Sequence, residues 1–127
     1  MRALKPNMNK LAPGVMKRTE AAIKRYHTYK KVTREQNSEY AENTDRYYAH
    51  IKWYNVIRET LEEWRKIFPK DAEIIADVFG IGDRIRGISV TQAEMKHHYS
   101  VSSIYKLRQA FVLEVAFRAI QEKLIVL

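Results

Sequence analysis

Residues 90–111, VTQAEMKHHYSVSSIYKLRQAF, predict two helices joined by a tight turn, and the rest of the fold is best understood from them. Ser100 is a suitable N-cap for the second helix, because its hydroxyl can accept a hydrogen bond from an amide one turn further on. A buried face is predicted by four apolar residues at helical spacing: Tyr99, Ile104, Leu107 and Phe111. On the first helix Ala93 is small enough to permit close approach, and the short turn forces the helices to cross sharply. This pattern indicates a helix-turn-helix over about residues 89–112.

The side of the second helix that would face solvent is rich in hydroxyls and cations. It consists of Val101, Ser102, Ser103, Tyr105, Lys106, Arg108 and Gln109. Small hydroxyls at a helix start let the backbone approach a DNA groove, and the free amides there favour a nearby phosphate. Lys106 and Gln109 can reach base edges one turn later. Arg108 and Tyr105 suit contacts with phosphates or bases.

Two interpretations of this pattern are open. A capped helix after a short turn is common in all-helical proteins, where it can be no more than a packing corner. The cap, the apolar residues and the basic outward residues all fit one and the same helix. This coincidence favours DNA binding instead. The residues predicted to contact DNA are Thr91, Gln92, Ser100, Ser102, Ser103, Tyr105, Lys106, Arg108 and Gln109, with Arg84 and Arg86 before them and Lys24, Arg25, Lys30 and Lys31 near the N-terminus.

Residues 99–109, YSVSSIYKLRQ, resemble the recognition helix of phage late-gene transcriptional regulators of the RinA and ArpU type. The matching positions are Tyr99, Ser100, Ser103, Tyr105, Lys106, Leu107 and Arg108. Those regulators in turn resemble the promoter-reading helix-turn-helix of bacterial sigma factors. The resemblance implies double-stranded DNA as partner, activation of phage late transcription and action beside RNA polymerase.

The resemblance is specific over residues 99–112, loose back to about Asn43, and absent from about the first forty residues. Two residues depart from the family pattern. His97 stands where the family usually has an apolar core residue, and Glu94 where it has a small one. We expect both to weaken the packing of the first helix.

Composition predicts one domain, with an extension at most, because 127 residues can bury a self-sufficient core. There is no cysteine, which excludes disulfides and thiolate metal sites and fits a reducing cytoplasm, here that of a bacterial host. His97 and His98 point in different directions on a helix, so we expect no metal and no cofactor. No apolar run approaches the roughly twenty residues of a membrane span, and the basic N-terminus lacks the apolar segment of a signal peptide.

The net charge of +8 is unevenly distributed. Residues 1–34 hold ten Lys or Arg and a single acid, Glu20, whereas residues 35–80 hold six bases and ten acids. Nucleic acid is the commonest partner of such a basic segment, because phosphate contacts release counterions. An acidic membrane is the competing partner, but it requires a wide apolar face opposite the charge.

The N-terminal third predicts an arm followed by a helix. Residues 1–14 contain Pro6, Pro13 and Gly14 and little periodicity, so we expect a mobile basic arm. Residues 15–36 predict one helix whose tyrosines either stack on bases or, as we favour, pack on the next helix. We therefore divide the chain into a basic arm and helix, residues 1–42, and a helical domain, residues 43–127.

The middle of the chain predicts a long amphipathic helix over residues 46–68. Its apolar seam is Tyr47, Ile51, Tyr54, Ile57, Leu61, Trp64 and Phe68, which serves either the intramolecular core or a dimer interface. Pro69 ends this helix and is placed to begin another, over residues 71–78. The glycines that follow match no phosphate-binding fingerprint, so we predict a turn between helices there.

Residues 112–127 are apolar almost all round and must pack on the central helix or on a second subunit. Since symmetric dimers commonly read operators, we favour a homodimer. No nucleophile elbow, metal cluster or paired carboxylates argue for an enzyme, so no catalytic residue is predicted.

The expected fold is therefore an all-α bundle with a long central amphipathic helix and a C-terminal helix-turn-helix, and the expected function is sequence-specific DNA-binding transcriptional regulation. The alternatives are a phage terminase small subunit, which would assemble as a ring, and a protein-interaction adaptor whose basic arm binds an acidic partner.

Overall fold

The computed structural model describes residue 11, residues 13–35 and residues 44–126. Within these ranges the chain forms helices and turns and no strand, which confirms the predicted all-α class. The helices are α1 (Pro13–Lys24), α2 (Tyr26–Glu35), α3 (Thr44–Ile67), α4 (Pro69–Phe79), α5 (Val90–His97) and α6 (Val101–Gln121).

The core lies between α3 and α6, which run in opposite directions. Near the end of α3, the Trp64 ring meets the Phe111 ring of α6 edge to face, with centroids 5.4 Å apart. At the beginning of α3, Lys52 forms an ion pair of 3.4 Å with Glu122, just after α6. The indole N–H of Trp64 also donates to the Glu114 carboxylate, so this buried tryptophan keeps a polar partner.

The central helix is close to the one predicted, and its seam serves the intramolecular core. Ile57, Leu61 and Trp64 are almost completely buried by the chain itself. Pro69 is the first residue of α4, where its missing amide costs nothing because that amide would have no helical partner. The prediction of a helix over residues 71–78 was therefore too short at its beginning.

The single helix predicted over residues 15–36 is wrong, because the structure has a break at Arg25. The Arg25 amide donates to the Ala22 carbonyl, a tighter turn than an α-helix makes. The break allows α1 to pack on α6 while α2 packs on α3. Pro13 and Gly14, assigned to a mobile arm, instead begin α1, and residues 1–10 of that arm lie outside the described residues.

The tyrosines of α2 pack in the core, as favoured over stacking on bases. Tyr26 and Tyr29 are each 4 % exposed, and the Tyr26 ring lies 5.4 Å from the Tyr54 ring. Burial, and then the neighbouring Tyr54, raise the pKa of Tyr26 to about 12. The domain boundary expected near residues 42 and 43 lies outside the described residues, and segments on both sides of it contribute to one core.

The apolar C-terminal half of α6 is covered by the chain's own helices. Its buried residues include Val112, Leu113, Val115, Ala116 and Ala119, and α6 as a whole contacts α1, α3 and α4. The apolar surface that suggested a homodimer is thus already buried within one copy. None of the described helices combines the length and apolar character that a membrane crossing requires.

Candidate nucleic-acid interface

The helix-turn-helix has α5 as its first helix, and Ser89 caps that helix. The Ser89 hydroxyl accepts from the Gln92 amide at 3.1 Å, and the Gln92 side chain accepts from the Ser89 amide at 2.9 Å. This reciprocal capping box satisfies two amides that the helix leaves unpaired. Gln92 was predicted to contact DNA, but its side-chain oxygen accepts the capping hydrogen bond. Thr91 beside it is exposed.

The turn between the helices comprises residues 98–100. His98 adopts a left-handed conformation with φ of 58°, and its amide donates to the Glu94 carbonyl. Ser100 is the N-cap of α6, as predicted, and its hydroxyl oxygen accepts from the Ser103 amide at 3.1 Å. The Glu94 carboxylate accepts from the Val101 amide at 3.2 Å. The side chain expected to weaken the packing of α5 instead supplies a second cap to α6.

Tyr99 fixes the turn to the beginning of α4. Its hydroxyl donates to the Asp71 carboxylate at 3.2 Å, and the Lys70 ammonium lies 5.2 Å from the centre of its ring. Burial, and then the adjacent Asp71 carboxylate, raise the pKa of Tyr99. The turn is consequently stabilised by the caps at Ser100 and Glu94 and by the contact of Tyr99 with α4.

The outward side of α6 is a narrow stripe confined to the first three turns of the helix. We call it the α6 stripe: Ser102, Tyr105, Lys106 and Gln109, at positions i, i+3, i+4 and i+7, all exposed. Val101 and Ser103 flank it and are half-buried, while Ile104 and Leu107 face the core as predicted. Among the described residues, Lys106 and Gln109 have no hydrogen-bond or ion-pair partner, so both side chains are free to meet a ligand.

Arg108 does not belong to the stripe. Its guanidinium donates to the Glu20 carboxylate at 2.9 Å, and Lys24 lies 3.7 Å from the same carboxylate. It also stacks on the Phe79 ring, 5.0 Å from the centroid. Its contact with DNA stays a prediction, but in the structure α1 already supplies it with a partner 88 residues away in the chain.

Asp77 connects α4 to both the loop that follows it and α5. Its carboxylate accepts from Arg84 at 2.9 Å, from His97 at 2.7 Å, and pairs with Lys96 at 2.9 Å. Burial by itself would raise the pKa of Asp77, but the hydrogen bonds from Lys96, His97 and Arg84 lower it to about 2. His97 is thus a buried partner of a carboxylate, not a defect in the packing of α5, and Arg84 is not a free cation.

The loop between α4 and α5 contains the glycines that were predicted to form a turn. Gly80 ends α4 with φ of 68°, and a Cβ atom on it would lie 2.3 Å from the Gly87 amide nitrogen. A side chain would therefore clash with backbone in addition to straining the left-handed conformation. Arg86 is exposed on this closely packed loop, so it remains available to a phosphate.

The predicted cations of α2 lie away from the α6 stripe. The Tyr29 ring contacts His50, which puts this part of α2 beside the beginning of α3, and Lys52 puts that beginning beside the end of α6. Lys30 and Lys31 therefore lie towards the end of α6 that is opposite to Ser102. Arg25 is exposed and stacks on the Tyr29 ring at 5.4 Å.

An open cavity of about 280 Å³ lies beside the α6 stripe, between α1 and α6. Its apolar lining is provided by Met16, Phe79 and Val112. Its polar lining is provided by Glu20, Tyr105, Arg108 and Gln109, so it includes two residues of the stripe.

Comparison with family models, with curated proteins and with solved structures finds no match to this chain. In the part of the chain that the structure describes, no three His, Asp or Glu side chains are grouped as metal ligands would be. The function must accordingly be argued from the geometry of this surface.

Proposed function

We propose that this chain is a sequence-specific DNA-binding transcriptional regulator that places the first three turns of α6 in the major groove. The observation that carries the proposal is the α6 stripe itself. Hydroxyl, phenol, ammonium and amide groups share one exposed line of a helix whose opposite side is buried through Ile104 and Leu107. A helix in the major groove needs such a line, because base edges present hydrogen-bond donors and acceptors to it.

The surroundings of the stripe favour a polyanion as partner. The chain carries a net charge of +8, and exposed Lys17, Arg18 and Lys24 lie on α1, the helix whose Glu20 pairs with Arg108 of α6. At the beginning of α6 the amides of Val101 and Ser103 are already bonded to Glu94 and Ser100, so the positive charge comes from the lysine and arginine side chains. These groups suit the phosphates that flank a groove and supply affinity without sequence preference.

The resemblance to regulators of the RinA and ArpU type supports control of phage late genes, beside RNA polymerase. The proposal is made for one copy of the chain per DNA site, because the apolar faces that suggested a homodimer are used within the chain. A second copy on a neighbouring half-site is compatible with it but is not required.

The test is a titration of the purified chain with duplex DNA. Binding sites are selected from randomised duplexes, and dissociation constants for the selected and an unrelated duplex are measured between about 50 and 200 mM salt. We expect the selected duplex to bind at least tenfold more tightly, and both affinities to fall as salt rises. An affinity that is independent of salt and of sequence would refute the proposal.

Lys106→Ala and Lys31→Ala are a matched pair for locating the contact. Both remove one exposed lysine from a helix, but Lys106 is in the α6 stripe and Lys31 is at the far end of the bundle. We expect Lys106→Ala to weaken binding to the selected duplex about tenfold, and Lys31→Ala to change it less than twofold. Equal losses from the two variants would mean that the contact is not made by α6.

A further inference from the structure

The cavity beside the α6 stripe differs in chemistry from the stripe. Met16, Phe79 and Val112 line it with thioether, aromatic and aliphatic carbon. The two charged groups in its wall, Glu20 and Arg108, pair with each other at 2.9 Å and so present little net charge to an occupant. An apolar group suits this lining better than an anion does.

Gln109 lies in the wall of the same cavity and is exposed. A glutamine amide can donate to N7 and accept from the N6 amino group of adenine at once, which no other base edge in the major groove permits. The C5-methyl of thymine is the apolar group that the bases present in that groove. A free amide next to an apolar cavity therefore matches an adenine next to a thymine methyl.

We propose that Gln109 reads an adenine and that the cavity between α1 and α6 receives the C5-methyl of a neighbouring thymine. This inference rests on the proposed function, since it requires α6 to lie in the major groove. It adds a chemical class of target, an A·T-containing step, and it makes Met16 a specificity-determining residue although Met16 belongs to α1.

The experiment removes single methyl groups from the DNA. In the duplex selected by the full chain, each thymine in turn is replaced by deoxyuridine, which keeps base pairing and lacks only the C5-methyl. We expect one replacement to weaken binding about three- to fivefold, the effect of leaving one methyl group in water. We expect adenine to be preferred at an adjacent position, and this preference to be lost in Gln109→Ala.

A matched pair of variants assigns the methyl effect to the cavity. Met16→Gln keeps the length of the side chain and makes the cavity polar, whereas Met95→Gln makes the same change at an exposed site on α5. The deoxyuridine effect should disappear in Met16→Gln and persist in Met95→Gln. Circular dichroism at the assay temperature establishes that both variants are folded.

The outcomes separate this inference from the function on which it rests. Specific, salt-dependent binding in which no thymine methyl matters, or in which Met16→Gln leaves the methyl effect intact, overturns the inference and leaves the proposed function standing. Absence of specific DNA binding by the unmodified chain overturns both.

Discussion

The two halves of α6 have opposite relations to the rest of the molecule. From Ser102 to Gln109 one side of the helix carries exposed polar groups, and from Ala110 to Ala119 seven of the ten side chains are buried. The second half fixes the position of the first, because both belong to one continuous helix. The exposed surface is thereby attached to a helix whose other half is packed in the core.

The same contrast separates side chains that stabilise the fold from those free to bind. Phe111 is fully buried between the Trp64 and Phe79 rings, whereas Tyr105 is 54 % exposed less than two turns earlier. Substitutions in the buried half should therefore change the free energy of unfolding, and substitutions in the exposed half should change binding. The predictions below test this division, beginning with the largest effect.

Phe111→Ala should produce the largest loss of stability. Removing this ring leaves a cavity against Trp64 and Phe79, which costs about 3–5 kcal/mol of the free energy of unfolding. Urea denaturation measures the loss, and Tyr105→Ala is the matched aromatic control. We expect the control to change the free energy by less than about 0.5 kcal/mol. Similar losses in both variants would contradict the division of α6 into two halves.

Asp77→Asn should destabilise the chain by about 2 kcal/mol at neutral pH, because the lowered pKa of Asp77 reports the strength of its three hydrogen bonds. The folded-state pKa of about 2 lies below the ordinary value of 3.8. This stabilisation is therefore complete above pH 4 and is lost as the pH falls towards 2.

Denaturation of both proteins at several pH values checks the Asp77 prediction. The difference between the unmodified chain and Asp77→Asn should shrink as the pH is lowered from 5 towards 2. Asp83→Asn, an exposed carboxylate of the adjacent loop, should show a small difference at every pH. A difference for Asp77→Asn that stays constant with pH would mean that its ion pairs do not stabilise the fold.

Ser100→Ala should cost about 1 kcal/mol, because the Ser103 amide loses its acceptor at the beginning of α6. Ser102→Ala is the control: it makes the same chemical change two residues further on, where the side chain is exposed and makes no hydrogen bond within the described residues. Thermal unfolding of the two variants should differ by several degrees. Equal midpoints would show that Glu94 alone suffices to cap the helix.

The sequence predicted those features of the fold and site that arise from local spacing. Three such features depend on residues within a few positions of one another. They are the cap at Ser100, the buried face from Ile104 to Phe111, and the beginning of α4 at Pro69. Ser89 was missed, although Gln92 three residues later is the signature of a capping box. This cap is therefore a local feature that the sequence does contain.

The other differences between prediction and structure concern partners that no local pattern reveals. Glu20 pairs with Arg108 across 88 residues, and Asp77 meets His97 across 20, so neither contact has a spacing that periodicity can detect. The break at Arg25 likewise separates two helices that pack on different partners, and no local pattern names those partners. Tertiary contacts thus removed Arg108 and Arg84 from the set of free cations, and left the α6 stripe smaller than predicted.

Glu20→Gln should have the smallest effect on stability and a distinct effect on binding. Glu20 and Arg108 are both partly exposed, so the loss of their ion pair costs less than about 1 kcal/mol. Under the proposed function the variant removes an anion beside the α6 stripe and releases Arg108 for a phosphate. We expect tighter DNA binding, and a salt dependence steeper by about one phosphate contact.

The control is Glu59→Gln on α3, which changes the net charge equally but lies in an exposed pair with Arg58. If both variants tighten binding to the same extent, net charge alone explains the gain, and Glu20 does not restrain Arg108 from the DNA.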